Sequence, residues 1–230
     1  MDYLLHIETA TACCSVSISR EGHVIDTIEA IEGNLHAEEL HQMTRDILNK
    51  NNLTHQAPLA VSAGAGPGSY TGMRIGVSFA KGLCMAYDVP LLGINSLDGM
   101  IVQAKKNLEK FAQNALWIPM IDARRMEVYC KINDSLNNSI RSTSPQILDD
   151  LFVQSIPASQ AIYFFGNGAE KAIPVMKILP TALYLNGIYC SSSDHAGLAW
   201  EKFIKKQTEN LYTFDPQYLK EFVVKHKKET

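Results

Sequence analysis

Three groups of residues in this sequence have types and spacings that suit chemistry. The first is a glycine-rich segment, Gly64-Ala65-Gly66-Pro67-Gly68-Ser69-Tyr70-Thr71-Gly72, with an apolar run before it and a helical pattern after it. Glycines between a strand and a helix let backbone amides close on a phosphate at the helix N-terminus. Both standard fingerprints fail, however. No Gly-Lys-Ser/Thr follows, and Ser69 stands where a dinucleotide loop needs its third glycine. The preferred reading is a structural turn that caps a helix, with phosphate binding as the lesser reading. The second group is the seven histidines. His36 and His41 are separated by about 500° of helical rotation, so they do not share a face as an i,i+4 pair would. With no HExxH motif, a metal site is not expected. The third group holds possible nucleophiles and acids. Ser69, Cys84 and His195 make a triad on paper, but there is no GxSxG elbow, and Cys84 falls inside a helical pattern. Glu8, Asp98 and Asp122 are isolated carboxylates that sequence alone does not pair.

The elements that must position these residues follow from apolar periodicity. Asp2–Glu8 reads as a buried strand. Cys13–Arg20 alternates Cys14, Val16 and Ile18 against Ser15, Ser17 and Ser19, and His23–Ala30 returns after a Glu21-Gly22 turn. These three strands should form an antiparallel meander. A helix follows, with Asn34 as N-cap, Leu40, Met43, Ile47 and Leu48 on its apolar stripe, and Asn51-Asn52 at its end. A strand at Leu59–Ala63, a helix from Thr71 to Tyr87, a strand at Pro90–Ile94 and a helix from Leu97 to Asn107 complete a βββαβαβα run. The second half repeats this order more loosely. Strands are expected at Leu116–Ala123, Met126–Ile132, Ile140–Thr143, Ala161–Phe165 and Ala182–Leu185. Helices are expected at Ile147–Gln154, Ala169–Lys177 and Asp194–Gln207. The organisation is two related lobes, residues 1–107 and 108–230, with the last helix free to pack back on the first lobe.

Composition narrows the class. The 230 residues are 46% hydrophobic and 20% charged, enough to bury a core without a disulfide or metal staple. A net charge of -3 argues against polyanion binding by bulk charge. No apolar run reaches membrane-spanning length, no secretory leader pattern opens the chain, and the five cysteines include no CxxC pair. A cytoplasmic protein that is not inserted in a membrane is the expectation. Two features are left over. Gly72, Gly76, Ala80 and Cys84 lie four apart, and glycines inside this helix cost roughly 2–3 kcal/mol together, which calls for close approach by another backbone. That backbone belongs either to this chain's own sheet or to a partner helix. Near the C-terminus, Lys202, Lys205, Lys206, Lys220, Lys225, Lys227 and Lys228 are interspersed with Glu201, Glu209, Asp215, Glu221 and Glu229. This reads as a solvated face or tail, with RNA backbone contact left open.

Several of these pieces resemble one known family. Ala63–Gly76 (AGAGPGSYTGMRIG) is similar to the GxGPGSFTGLRIG signature of the TsaB (YeaZ) family, the dimerisation subunits of the machinery making threonylcarbamoyladenosine on tRNA. The likeness continues through HIETAT at His6–Thr11, His36, INSLDGM at Ile94–Met100 and PMIDARRMEVY at Pro119–Tyr129. It extends to FFGNGAEK at Phe164–Lys171 and PQYLK at Pro216–Lys220. Tyr70, Met73 and Glu8 stand where the family more often has Phe, Leu and Asp.

The resemblance implies an α/β fold of the actin-like ATPase (ribonuclease H-like) kind, two lobes with mixed sheets and flanking helices. It places a vestigial nucleotide cleft at Glu8, Thr9, Asp122, Gly166 and Gly168, with no catalytic residue and no metal. It also makes the first two helices a partner surface, for which Leu40, Met43, Ile47, Met73, Val77 and Lys81 are the expected anchors. The implied partners are a TsaD-like catalytic subunit, a TsaE-like ATPase in the complex, or a second copy of the chain through the same helices. Contact with tRNA would be indirect. No cofactor is expected for the isolated chain, and adenine nucleotide is expected only in the complex. The chain would then be a noncatalytic subunit required for N6-threonylcarbamoyladenosine at tRNA position 37. The rivals are a nucleotide-binding ATPase or phosphotransferase using the interlobe cleft, a protease, and an RNA-binding module.

Overall fold

Apolar runs with two different periods build two α/β sandwiches in succession. The computed structural model describes residues 2–31 and 36–220. The first sheet uses β1 (Leu4–Glu8), β2 (Cys14–Arg20), β3 (His23–Ala30), β4 (Ala60–Gly64) and β5 (Leu91–Ile94), in the order β3-β2-β1-β4-β5. The opening meander is antiparallel, and β4 and β5 join parallel. Helices α1 (His36–Lys50) and α2 (Tyr70–Tyr87) pack on one face, and α3 (Ser96–Lys106) leads out of the lobe. The N-cap expected at Asn34 and the lysines beyond residue 220 lie outside the described residues.

The second sheet repeats the plan with β6 (Ala115–Asp122), β7 (Glu127–Asn133), β8 (Ser139–Ile147), β9 (Ala161–Phe165) and β10 (Ala182–Leu185), in the order β10-β9-β6-β7-β8. Strand β8 runs four residues beyond the expected end because it is an edge strand, where Pro145 has no inner ladder bond to break. Short helices α4 (Asp150–Gln154) and α5 (Ile173–Met176) cover one face, and α3 covers the other around the fully buried Trp117. The last helix, α6 (His195–Ile204), crosses back to the first sheet. There Leu198, Ala199, Trp200 and Phe203 pack on Leu4, Ala60, Leu92 and Ile94.

That crossing explains the burial of β2. Ser15, Ser17 and Ser19 alternate with apolar residues, yet all three are buried, because a second layer covers the face a solvated strand would expose. The helix phases need correction too. Leu40, Met43, Ile47, Met73 and Val77, expected as partner anchors, are buried in the first lobe's own core, and only Lys81 is partly exposed. The same rotation settles the small-residue stripe. A Cβ on Gly76 would sit 2.1 Å from Thr9 Oγ1, and one on Gly72 would sit 2.2 Å from the Thr9 carbonyl oxygen. The stripe therefore admits this chain's own β1–β2 turn. The outward face of α2 instead carries Arg74, Ser78, Gly82, Met85 and Ala86, with open space around Gly82.

Two single substitutions read this geometry directly. Gly76→Ala is expected to lower unfolding free energy by about 1–3 kcal/mol, because its methyl overpacks against Thr9. Gly82→Ala is expected to raise it by about 0.5–1 kcal/mol, because the helix gains propensity at an open site. Urea unfolding of both variants checks the opposite signs.

Candidate functional site

Strand β1 ends at Glu8 inside the protein, and the chain turns there by spending the carboxylate on its own backbone. Glu8 Oε1 accepts from the amides of Thr9 at 2.8 Å and Ala10 at 2.7 Å. Glu8 Oε2 accepts from Ser96 Oγ at 2.7 Å and His195 Nε2 at 3.2 Å. Both Glu8 and His195 are at most 1% exposed. Burial alone would push the carboxyl pKa up. The His195 hydrogen bond and charge, Ser96 and the Ala10 amide outweigh burial, and the pKa falls below its ordinary value. Four donors on a desolvated carboxylate leave it no free acceptor for a substrate or metal.

A hydrogen-bonded chain continues from His195 through the lobe. His195 Nδ1 lies 3.3 Å from Ser62 Oγ, Ser62 Oγ lies 2.7 Å from His6 Nδ1, and His6 Nε2 lies 2.7 Å from Ser19 Oγ. The carboxylate only accepts, so His195 Nε2 carries a hydrogen. His6 is held neutral, its pKa pushed well below the ordinary value by burial and then by the charge of His195. Ser62, His195 and Glu8 have the order of a hydrolase triad, but they are 0%, 0% and 1% exposed, so no peptide reaches Ser62. The triad assembled on paper does not form. Ser69 caps α2 by accepting from the Gly72 amide, and Cys84 is buried against the first sheet.

The glycine-rich loop is committed in the same way. The Ser69 amide donates to the Ala10 carbonyl at 2.6 Å, and the Ala65 amide donates to Ile94 at 2.6 Å. Thr9 Oγ1 donates to the Gly72 carbonyl at 2.8 Å. The preferred reading as a capping turn therefore describes the loop, whose amides at Ala65, Ser69 and Gly72 are engaged within the chain.

Across the seam, Asp122 ends β6 with its side chain half-exposed. It accepts from the Arg124 amide at 2.8 Å and pairs with Lys171. Burial opposes ionisation here, but Lys171 and the Arg124 amide hold the pKa below the ordinary value. Arg124 and Arg125 both take left-handed backbone conformations (φ 69° and 50°) in the β6–β7 turn. Gly166 and Gly168 back onto β6, where a Cβ would lie 2.3 Å from the Met120 carbonyl oxygen or 2.8 Å from the Ile121 carbonyl carbon. Glu8 and Thr9 thus belong to one buried knot in the first lobe. Asp122, Gly166 and Gly168 form a separate, partly open group in the second. His6, Ser19, Ser62 and Ser96 were not picked out from sequence. Their one signal is a polar residue inside an otherwise apolar strand, as at His6 and Ser62. Among the described residues, no three of His, Cys, Asp and Glu cluster to hold a metal, and no helix is long and apolar enough to cross a membrane.

Comparison with known proteins gives concordant results. Residues 30–162, over half of the chain, match the family model described as TsaD, tRNA N6-adenosine threonylcarbamoyltransferase. The tRNA threonylcarbamoyladenosine biosynthesis protein TsaB of Haemophilus influenzae is 28% identical over 94% of this chain and 93% of its own length. TsaB of Escherichia coli is 35% identical over 55% of this chain, a stretch spanning 52% of that protein. Among solved structures, YeaZ from Pseudomonas aeruginosa superposes with a TM-score of 0.80 at 25% identity, covering 95% of this chain and all of that one. The ADPNP-bound activator of 2-hydroxyisocaproyl-CoA dehydratase from Clostridium difficile matches at a TM-score of 0.51 and 9% identity, over 89% of this chain and 97% of that one. It shares the fold, which is the actin-like arrangement of two lobes.

The buried knot predicts acid lability. Folded His6 refuses a proton that the unfolded chain accepts below pH 6.5. Stability is therefore complete above that value and falls by about 1.4 kcal/mol per pH unit as pH drops toward the folded pKa. Glu8 adds a second loss at lower pH, its contribution being present above 4.5 and lost as pH falls through its depressed folded pKa. Denaturant melts between pH 8 and pH 5 measure the first slope, and His6→Gln is expected to flatten it.

Proposed function

The chain belongs to the TsaB (YeaZ) family, and from that premise we propose that it is the noncatalytic partner subunit of a TsaD-type threonylcarbamoyltransferase. In this reading it works in the cytoplasm on N6-threonylcarbamoyladenosine formation at tRNA position 37. It touches tRNA only through its partner and needs no cofactor of its own. Adenine nucleotide and a TsaE-like ATPase join at the level of the complex. The observation that carries the proposal is the Glu8 carboxylate, fully engaged by two amides, a serine and a histidine inside the first lobe. A phosphotransferase needs an acidic group free to meet metal or water at the cleft, and this one is sealed. A pseudo-enzyme of this kind acts by differential binding, favouring the active arrangement of its partner.

The surface that supports partner binding is the outward face of α2. Gly82 sits in open space within this helix, and Met85 is 66% exposed one turn on. A mid-helix glycine costs about 1 kcal/mol, and nothing among the described residues accounts for that cost at Gly82. A closely approaching helix, from the TsaD-type subunit or from a second copy of the chain, does account for it.

Gly82→Arg combined with Met85→Glu is expected to weaken complex formation with the TsaD-type subunit by about 2 kcal/mol or more, roughly 30-fold, with the isolated chain still folded and no less stable. Size-exclusion chromatography with mass detection reads the loss. Unchanged co-elution would remove α2 from the interface. Met43→Lys and Ile47→Lys are unsuitable for this test, since both side chains are core and their replacement unfolds the lobe. Titration calorimetry of the isolated chain with magnesium-ATP is expected to show no saturable binding. Binding with hydrolysis that Asp122→Asn abolishes would install the ATPase reading instead.

A further inference from the structure

The PQYLK motif at Pro216–Lys220 lies in a strap that begins after α6 and runs along the seam between the lobes. On the first lobe, the Glu209 amide donates to the Leu91 carbonyl at 2.9 Å, and the Gln217 amide donates to the Ala65 carbonyl at 2.8 Å. Asn95 Nδ2 reaches Gln217 Oε1 at 3.3 Å and, from the same nitrogen, Thr143 Oγ1 of the second lobe at 3.3 Å. Arg74 Nε donates to the Tyr218 hydroxyl at 3.0 Å, and its guanidinium lies 3.9 Å above the Tyr70 ring. At the far end the strap changes lobe. Lys220 Nζ donates to the Ala123 carbonyl at 3.2 Å, pairs with Glu127, and lies 5.6 Å over the Tyr129 ring.

The seam carries separate ties elsewhere. Glu29, on the first sheet, accepts from Tyr189 at 2.8 Å and Ser191 at 2.5 Å, and Lys106 of α3 pairs with Asp194 at 3.1 Å. A seam tied at one place can hinge about it, whereas ties made by different segments resist rotation. The strap also crosses the carboxyl ends of β4 and β5, the crevice where open α/β sheets take ligands.

We propose that residues 209–220 are an interlobe clasp, which holds the β6–β7 turn of the second lobe against the Gly64–Gly72 loop of the first and so fixes the two lobes at one angle. The lobes of this chain then do not open and close, and the face of α2 is presented in a single geometry. The inference stands apart from the proposed partner role, since a clasped chain is expected whichever protein it binds.

Distances between spin labels on the full chain test it. The described cysteines are all buried, so Gln42→Cys on α1 and Ile178→Cys, 63% exposed on the second lobe, supply the labelling sites. Double electron–electron resonance is expected to give one narrow distance. Adding Gln217→Pro, which removes the amide donor, with Lys220→Ala is expected to broaden the distribution and shift its mean. If that pair fails to fold, Lys220→Ala alone keeps every first-lobe contact of the strap and is expected to broaden it as well. A broad distribution in the unaltered strap, or an unchanged one when the clasp is cut in a folded variant, would overturn the proposal.

Discussion

A carboxylate buried without compensation would cost several kcal/mol, and most of the first lobe is arranged so that Glu8 is compensated. Its four donors come from the β1–β2 turn, the start of α3 and the start of α6, which draws three distant parts of the chain to one point. Four glycines of the signature follow from the same knot. A Cβ on Gly64 would meet a Glu8 oxygen at 2.4 Å, one on Gly68 the Ala10 carbonyl at 2.1 Å, and those on Gly72 and Gly76 would meet Thr9. The HIETAT turn and the glycine-rich segment are thus two sides of one contact. These four glycines are there because the turn that carries Glu8 leaves no room for side chains.

This packing redirects the chemistry that the residue types suggest. Glycines, a serine and a threonine after a strand look like a phosphate cradle, yet the Ser69 amide closes on Ala10, the Gly72 carbonyl on Thr9 and the Ala65 amide on Ile94. A serine, a histidine and a glutamate fall in triad order, yet they are sealed between the first sheet and α6. In both cases the polar groups hold the lobe together. What faces outward is the side of α2 turned away from the knot, the face on which the proposed partner role rests.

Much of this was legible in the sequence. The meander, both parallel additions and the order of the second lobe follow from period-2 and period-3.6 runs, because each element buries one apolar face. The Ser69 cap and the small-residue stripe were legible as well. Helix phase was not. Leu40, Met43, Ile47, Met73 and Val77 form the apolar stripe that any amphipathic helix turns toward its own sheet, so choosing them as partner anchors reversed the helices. The burial of the β2 serines was not legible for a related reason. Period-2 alternation marks which residues share a face, but not whether a later helix returns to cover it. The Glu8–His195 contact joins residues 187 positions apart and leaves no local pattern.

In the proposed role this chain contributes a surface to threonylcarbamoyl transfer and no reacting group. The most direct measurement is the rate of tRNA modification by a reconstituted TsaD-type enzyme, using this chain with Asp122→Asn and Lys171→Met together. Those changes remove the partly open ion pair of the second lobe while leaving the buried knot and the outward face of α2 intact. The expected rate is that of the unaltered chain. A complex that still assembles but no longer modifies tRNA would contradict it.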